Sequence, residues 1–307
     1  MIIGAIDVGS NSVKLLVAEV KGRTTRLLAH RSAVTRLGGR MDRTRRLSPA
    51  AQDRTIGVLR EFRRVCEELG ADRVVAVGTE AVRTARNGRT FAARCRKEAG
   101  VALRIISGRE EARLAFLGAT FGRRERRLAA IDIGGGSTEF MLGSPGRLET
   151  SASIPLGAVR LTEIHLKGDP PTLGDRLGLL MHVHDGLGRL PDLLRCASGP
   201  GTTLLGIGGT CVNVARMLSP DEIPEGRKVP LDALEDLLNR LAGTPLAQRK
   251  QIPGIDPDRA DIIVAGARIL VESLKTLGVP SFTATIHGLR RGLVVEASRG
   301  PSRRRPI

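Results

Sequence analysis

Apolar runs at 2–8, 13–20 and 24–31 read as three consecutive strands, the second and third joined by a hairpin-length turn at 21–23 that contains Gly22. From Ser48 the apolar spacing lengthens to a helical period. Ile56, Leu59, Phe62, Val65, Cys66 and Leu69 share one face, with Ser48 as N-cap, Pro49 as first helical residue and Gly70 just past the end. A buried strand at 73–78, a helix at 89–99, a strand at 101–106 and a helix at 108–121 follow. Then the pattern restarts. Strands at 128–133, 138–143 and 148–154 are again consecutive, and strands at 204–207 and 281–285 interrupt later helical stretches.

The restart is visible in the residues themselves. Ala5-Ile6-Asp7-Val8-Gly9-Ser10 returns as Ala130-Ile131-Asp132-Ile133-Gly134-Gly135-Gly136-Ser137. Each copy is an apolar strand ending in Asp, a glycine turn with hydroxyls, and a second strand. One duplication accounts for the length of 307 residues, which suits two domains of ordinary size. The expected domains are 1–121 and 122–298, meeting in the charge-rich stretch 122–127, with 299–307 left as a disordered basic tail.

Composition narrows the function. With 41% hydrophobic and 26% charged residues, the chain can bury a sizeable core. It has six Phe, no Trp and no Tyr, so recognition of bases by aromatic stacking is disfavoured. The formal net charge of +17 attracts polyanions, although abundant surface arginine would give the same number. Arginines are spread along the chain, which predicts no dedicated nucleic-acid site but leaves a polyanion held in an internal cleft open. Cys66, Cys95, Cys196 and Cys211 lie far apart, as suits small buried residues in a reducing compartment. No segment approaches the ~20 apolar residues of a membrane span. The expectation is a cytoplasmic protein with no membrane partner.

A strand–turn–strand bearing Gly, Ser and Asn brings several N–H groups and hydroxyls to one point, as phosphate cradles do. Two segments qualify: Gly9, Ser10, Asn11 and Ser12, and Gly134, Gly135, Gly136, Ser137 and Thr138. The first alone is equally an ordinary tight hairpin; three successive glycines are harder to explain structurally, and the two in duplicated positions favour a pair of phosphate loops. Asp7 and Asp132 each end a buried strand, where an uncompensated carboxylate is costly. Either they cap the turn N–H groups, or they hold a hydrated Mg²⁺, with Mn²⁺ as the alternative ion.

In these and further segments the chain resembles the exopolyphosphatase/guanosine pentaphosphate phosphohydrolase family. The resemblance rests on Ala5–Ser12, Val77-Gly78-Thr79-Glu80-Ala81-Val82-Arg83, Ile106-Ser107-Gly108-Arg109-Glu110-Glu111-Ala112-Arg113, Ile131–Glu139, Leu156-Gly157-Ala158-Val159-Arg160 and Gly206-Ile207-Gly208-Gly209-Thr210. It implies an α/β fold of duplicated ribonuclease-H-like domains, of the actin-like and sugar-kinase superfamily, closing on a central interdomain cleft. It also implies Mg²⁺-dependent release of orthophosphate from inorganic polyphosphate. Hydrolysis of guanosine pentaphosphate, or a polyphosphate-binding regulator that turns over weakly, are the alternatives, and a homodimer stays open.

The same resemblance implies residue roles. Glu111 is the base that activates water; Asp132 and Glu139 position metal and water. Arg83, the two loops, and Gly208, Gly209 and Thr210 bind phosphate. Three departures stand out: Thr285-Ile286-His287-Gly288-Leu289-Arg290-Arg291-Gly292 lacks the Asp and Glu usual there, Lys14 replaces an apolar or His residue, and the expectation is a two-domain core without the extra helical domains of long members. Helix physics bears on the adjacent glutamates independently. Ser107 and Glu110 have capping-box spacing, which would occupy Glu110 and leave Glu111 to project about 100° further round the helix.

Overall fold

The computed structural model describes all residues except 23, 40, 42–44, 196–201 and 300–307. They divide into two compact units: Met1–Gly122 with the segment from Gly288 onward, and Arg123–His287.

Unit 1 is built on a five-stranded sheet, β3-β2-β1-β4-β5. Its strands are β1 (Ile2–Val8), β2 (Ser12–Lys21), β3 (Thr24–Val34), β4 (Arg73–Gly78) and β5 (Leu103–Ile105). β1 lies at the centre, antiparallel to β2 and parallel to β4, so Ile3, Ala5, Ile6 and Val8 are all buried. That explains an apolar run without alternation. The helices are α1 (Pro49–Glu68), α2 (Glu80–Thr84), α3 (Gly88–Ala99) and α4 (Gly108–Thr120). Ser48 caps α1 as expected, accepting from the N–H of Ala51. The short α2 was not legible in the pattern, and β5 is shorter than the expected 101–106.

The C-terminal helix corrects the expected domain boundary. Leu289–Ser298 packs on α4 within unit 1, so the second domain ends at His287 rather than 298. Glycines explain the attachment. A Cβ on Gly292 would lie 1.9 Å from the Leu114 carbonyl oxygen, and one on Gly118 would lie 2.0 Å from that of Gly288. The two backbones touch where any side chain would hold them apart. The expected basic tail lies, beyond Arg299, outside the described residues.

Unit 2 contains β6 (Leu128–Ile133), β7 (Thr138–Ser144), β8 (Arg147–Ile154), α5 (Ala158–His165), α6 (Leu173–Leu187), α7 (Asp192–Arg195), β9 (Thr203–Ile207) and α8 (Gly208–Leu218). After these come β10 (Lys228–Pro230), α9 (Leu231–Gly243), α10 (Leu246–Arg249), α11 (Ile263–Leu277) and β11 (Ser281–Ala284). The C-terminal helix of unit 1 is α12. The sheet order is β10-β11-β9-β6-β7-β8. Reversed and without β10, it repeats the order of unit 1, with the same antiparallel and parallel pairings. The duplication is therefore structural as well as sequential. β10, a three-residue antiparallel edge on β11, has no counterpart in unit 1 and was not predicted.

Candidate active site

In unit 1 the glycine turn follows β1 at the carboxyl ends of β1 and β4, where parallel neighbours leave a crevice for ligands. The turn closes through a bond from the Gly9 N–H to the Ser12 carbonyl, 3.1 Å. Its own carbonyls are occupied from outside: Ser10 O accepts from Gly38 N at 2.8 Å, and Asn11 O from Thr35 N and Arg36 N at 3.0 and 2.8 Å. In a trans peptide the N–H opposes the preceding carbonyl. The Asn11 N–H is thereby turned away from the 35–39 segment. The Ser10 hydroxyl donates to Glu80 Oε2 at 3.2 Å, and Ser12 is buried at the start of β2.

Asp7 carries one buried carboxylate oxygen, Oδ1, with no hydrogen-bond partner among the described residues. Burial pushes its pKa above the ordinary value of 3.8, against the opposing pull of Lys14 and Arg290. Lys14 is its cross-strand partner. An orphaned carboxylate oxygen fits a hydrated divalent cation, while Lys14 and Arg290 offer partial compensation without one. No group of three or more His, Cys, Asp or Glu that could hold a metal occurs among the described residues. That still accommodates Mg²⁺, which commonly takes one or two carboxylates and completes its shell with water and substrate oxygens.

Arg83 lies on α2 and Glu111 in the first turn of α4. They meet at 2.8 Å, with side-chain exposures of 22% and 16%. Arg83 also donates to the Ile106 carbonyl, so its guanidinium is anchored while it holds the glutamate. The capping box is only half built. Ser107 accepts from the Glu110 N–H at 3.1 Å, but the Glu110 carboxylate pairs with Arg104 instead of folding back to Ser107. An arginine on β5, six residues earlier, competes successfully because a charged partner outweighs a single backbone donor. Glu110 is still structurally engaged, by a different partner.

Unit 2 repeats the turn. Gly134 N donates to Ser137 O at 2.9 Å, matching the Gly9–Ser12 bond. The carbonyls of Gly134 and Gly135 accept from Ala158, Val159 and Arg160 at the start of α5. The N–H groups of Gly135 and Gly136 accordingly point away from that helix. The hydroxyls behave differently from a simple cradle. Ser137 donates to Glu139 Oε1 at 2.6 Å, and Thr138, fully buried, donates to the Leu156 carbonyl at 2.5 Å. Glu139 is itself 4% exposed and receives a second hydroxyl on Oε1, from Ser153 at 2.8 Å. Three hydroxyl-bearing residues thus serve the structure of the loop and the setting of Glu139.

Asp132 stands beside the third glycine segment. A Cβ on Gly208 would lie 2.3 Å from Asp132 Oδ1, and Gly208 has φ +81°, so glycine is required twice over. Thr210 is 3% exposed and packs on Gly266, which leaves Gly208 and Gly209 as the open part of that segment. Sequence reading missed Arg259. Its guanidinium packs over Gly209, where a Cβ would approach within 2.2 Å, and it lies near both Asp256 and Asp132. Burial holds it below the usual arginine range, against the pull of those carboxylates. Its position as the last residue of a short 3₁₀ turn, Pro257–Arg259, far along the chain carries no local signal.

The family model described as the Ppx/GppA phosphatase family matches residues 16–299. The chain is 30% identical over 302 residues to exopolyphosphatase 1 of Mycobacterium tuberculosis, covering 96% of this chain and 88% of that one. It is 32% identical to exopolyphosphatase 2 of the same organism, covering 95% and 97%. The crystal structure of the Aquifex aeolicus Ppx/GppA family member superposes with a TM-score of 0.82 at 29% identity, covering 98% of this chain and 99% of that one.

Proposed function

The chain belongs to the Ppx/GppA phosphatase family, and on that premise we propose that it is an exopolyphosphatase, removing orthophosphate from the end of inorganic polyphosphate. The observation that carries the reading within this chain is the Arg83–Glu111 pair at 2.8 Å. It joins a general-base candidate to a phosphate-binding cation on two segments that match the family.

Water attacks the terminal phosphorus in line with the bridging oxygen. Glu111 accepts the water proton as the new P–O bond forms, and the bridging P–O bond breaks. The shortened polyphosphate leaves as an anion that needs no proton. Arg83 keeps the Glu111 carboxylate in place and offers its guanidinium to phosphoryl oxygens. Within unit 2, Glu139 is held in one orientation by Ser137 and Ser153, which keeps its carboxylate available to water or metal. Loop N–H groups of Asn11, Gly135 and Gly136 donate to phosphate oxygens. Asp7 in unit 1 and Asp132 in unit 2 are the carboxylates that would be available to Mg²⁺, with Mn²⁺ as a substitute; such an ion would supply neutralisation of phosphoryl charge. Phosphoryl transfer relies chiefly on positioning and electrostatics of this kind.

Inorganic polyphosphate is favoured over guanosine pentaphosphate by the absence of Trp and Tyr and by the net charge of +17, which suit a long anion without a base. The buried, free thiols of Cys66, Cys95 and Cys211 are compatible with a reducing cytoplasm. Incubation with polyphosphate, guanosine pentaphosphate or ATP, each with Mg²⁺, tests the reading. Polyphosphate should show the highest kcat/KM. A higher value for guanosine pentaphosphate would reassign the substrate, and release from none of them would leave a binding protein.

A further inference from the structure

Glu80 is the first residue of α2, and its carboxylate accepts the Ser10 hydroxyl at 3.2 Å in a partly buried setting. A hydroxyl has one proton to donate. While it serves Glu80 it cannot serve a phosphate oxygen, although Ser10 lies in the turn read as a phosphate loop. Glu80 is not a loose surface side chain. β4 ends beside β1, with Val8 registered against Gly78, and Thr79 N donates to the Val8 carbonyl at 3.2 Å. The sheet therefore fixes the acid next to the turn. The same edge already carries Asp7.

We infer that Glu80 is a selectivity residue: it occupies the Ser10 hydroxyl and places negative charge at loop 9–12, so the loop discriminates against small free phosphate anions. This rests on reading loop 9–12 as a phosphate loop. An incoming orthophosphate must displace the Ser10–Glu80 bond and face the Glu80 charge with few other contacts. A polyphosphate end meets the same cost but recovers it along the rest of its chain. The consequence is weak inhibition by the product. An ordinary acid at a helix start would favour the helix dipole and have no effect on phosphate affinity.

Calorimetric titration in EDTA tests the inference without turnover. Wild type, Glu80→Gln and Glu80→Ala are titrated with orthophosphate and with tripolyphosphate, and thermal melts confirm that each is folded. Both variants should bind orthophosphate about fivefold or more tightly than wild type, the scale of one screened like charge. Glu80→Ala should gain most, because it also releases the hydroxyl, and that extra gain should vanish when Ser10→Ala is added. Tripolyphosphate affinity should change less. Folded variants that bind orthophosphate no more tightly than wild type overturn the inference. If no protein binds tripolyphosphate, the loop is not a phosphate site and the inference falls with it. A wild type that binds tripolyphosphate in EDTA yet releases no orthophosphate from it once Mg²⁺ is restored overturns the exopolyphosphatase reading alone.

Discussion

Gly292→Ala probes the contact that gives unit 1 its last helix. The new methyl carbon would sit 1.9 Å from the Leu114 carbonyl oxygen and 2.7 Å from its carbon. Ordinary non-bonded contact needs about 3.5 Å, so α12 and α4 must separate by roughly 1.5 Å at the crossing. The obstacle is backbone, which cannot rotate away. Overpacking of this kind costs about 1–3 kcal/mol, or roughly 2–12 °C of Tm for a domain of this size. Because α4 carries Glu111 in its first turn, the folded fraction should also turn over more slowly. Gly57→Ala is the matched control. Gly57 is exposed inside α1 with nothing within 4 Å of an added Cβ. Alanine there should stabilise by about 0.5–1 kcal/mol. Thermal and urea denaturation of both variants measure the contrast. A Gly292→Ala protein that melts with the wild type would refute the claim that the glycine contact fixes α12 on α4.

Asp7→Asn should separate stability from function. Burial raises the Asp7 pKa, so the folded protein holds that proton more tightly than the unfolded chain does. The contribution is therefore full below the unfolded value and lost as pH rises through the folded one, so that above the unfolded value the buried carboxyl is a net cost. The variant should melt higher than wild type near pH 8, gain little near pH 4, and lose phosphate release; a lower Tm at pH 8 would count against this account. Ser107→Ala should cost about 1 kcal/mol as a lost N-cap, whereas Glu110→Gln should leave most turnover intact; equal loss of turnover in Glu110→Gln and Glu111→Gln would remove the distinction between them. Polyphosphate KM should rise steeply with added salt, because binding a polyanion releases counterions. EDTA should abolish release, and unaffected release would remove the metal from the proposal.

Much of the fold was legible because its signals are local. The strand–Asp–glycine turn–strand unit repeats in residues and in spacing, and the matching Gly9–Ser12 and Gly134–Ser137 bonds show the same turn built twice. Arg83 was visible only through its surrounding segment, and Glu111 through its segment and the capping-box spacing beside it; their pairing depends on α2, a five-residue helix too short to mark a period. Contacts between distant segments were not legible. Nothing local in Gly288-Leu289-Arg290-Arg291-Gly292 says that its glycines face Leu114 and Gly118. Likewise Glu110 has a perfectly good capping partner in sequence, and only the adjacent β5 brings Arg104 close enough to take it. Arg259 reaches Gly209 and Asp132 through the fold of unit 2, and Glu80 reaches Ser10 through the β1–β4 pairing.

Parallel assay of wild type and Glu111→Gln on polyphosphate of defined length tests most directly the proposal that this chain hydrolyses polyphosphate with Glu111 as its base. With Mg²⁺ present, wild type should release orthophosphate steadily. Glu111→Gln should be slower by about 10²-fold or more in kcat, the scale of a lost general base, with KM for polyphosphate little changed and an unaltered fold by circular dichroism. Wild-type protein that releases no orthophosphate, or a folded Glu111→Gln variant that keeps the wild-type kcat, would contradict the account.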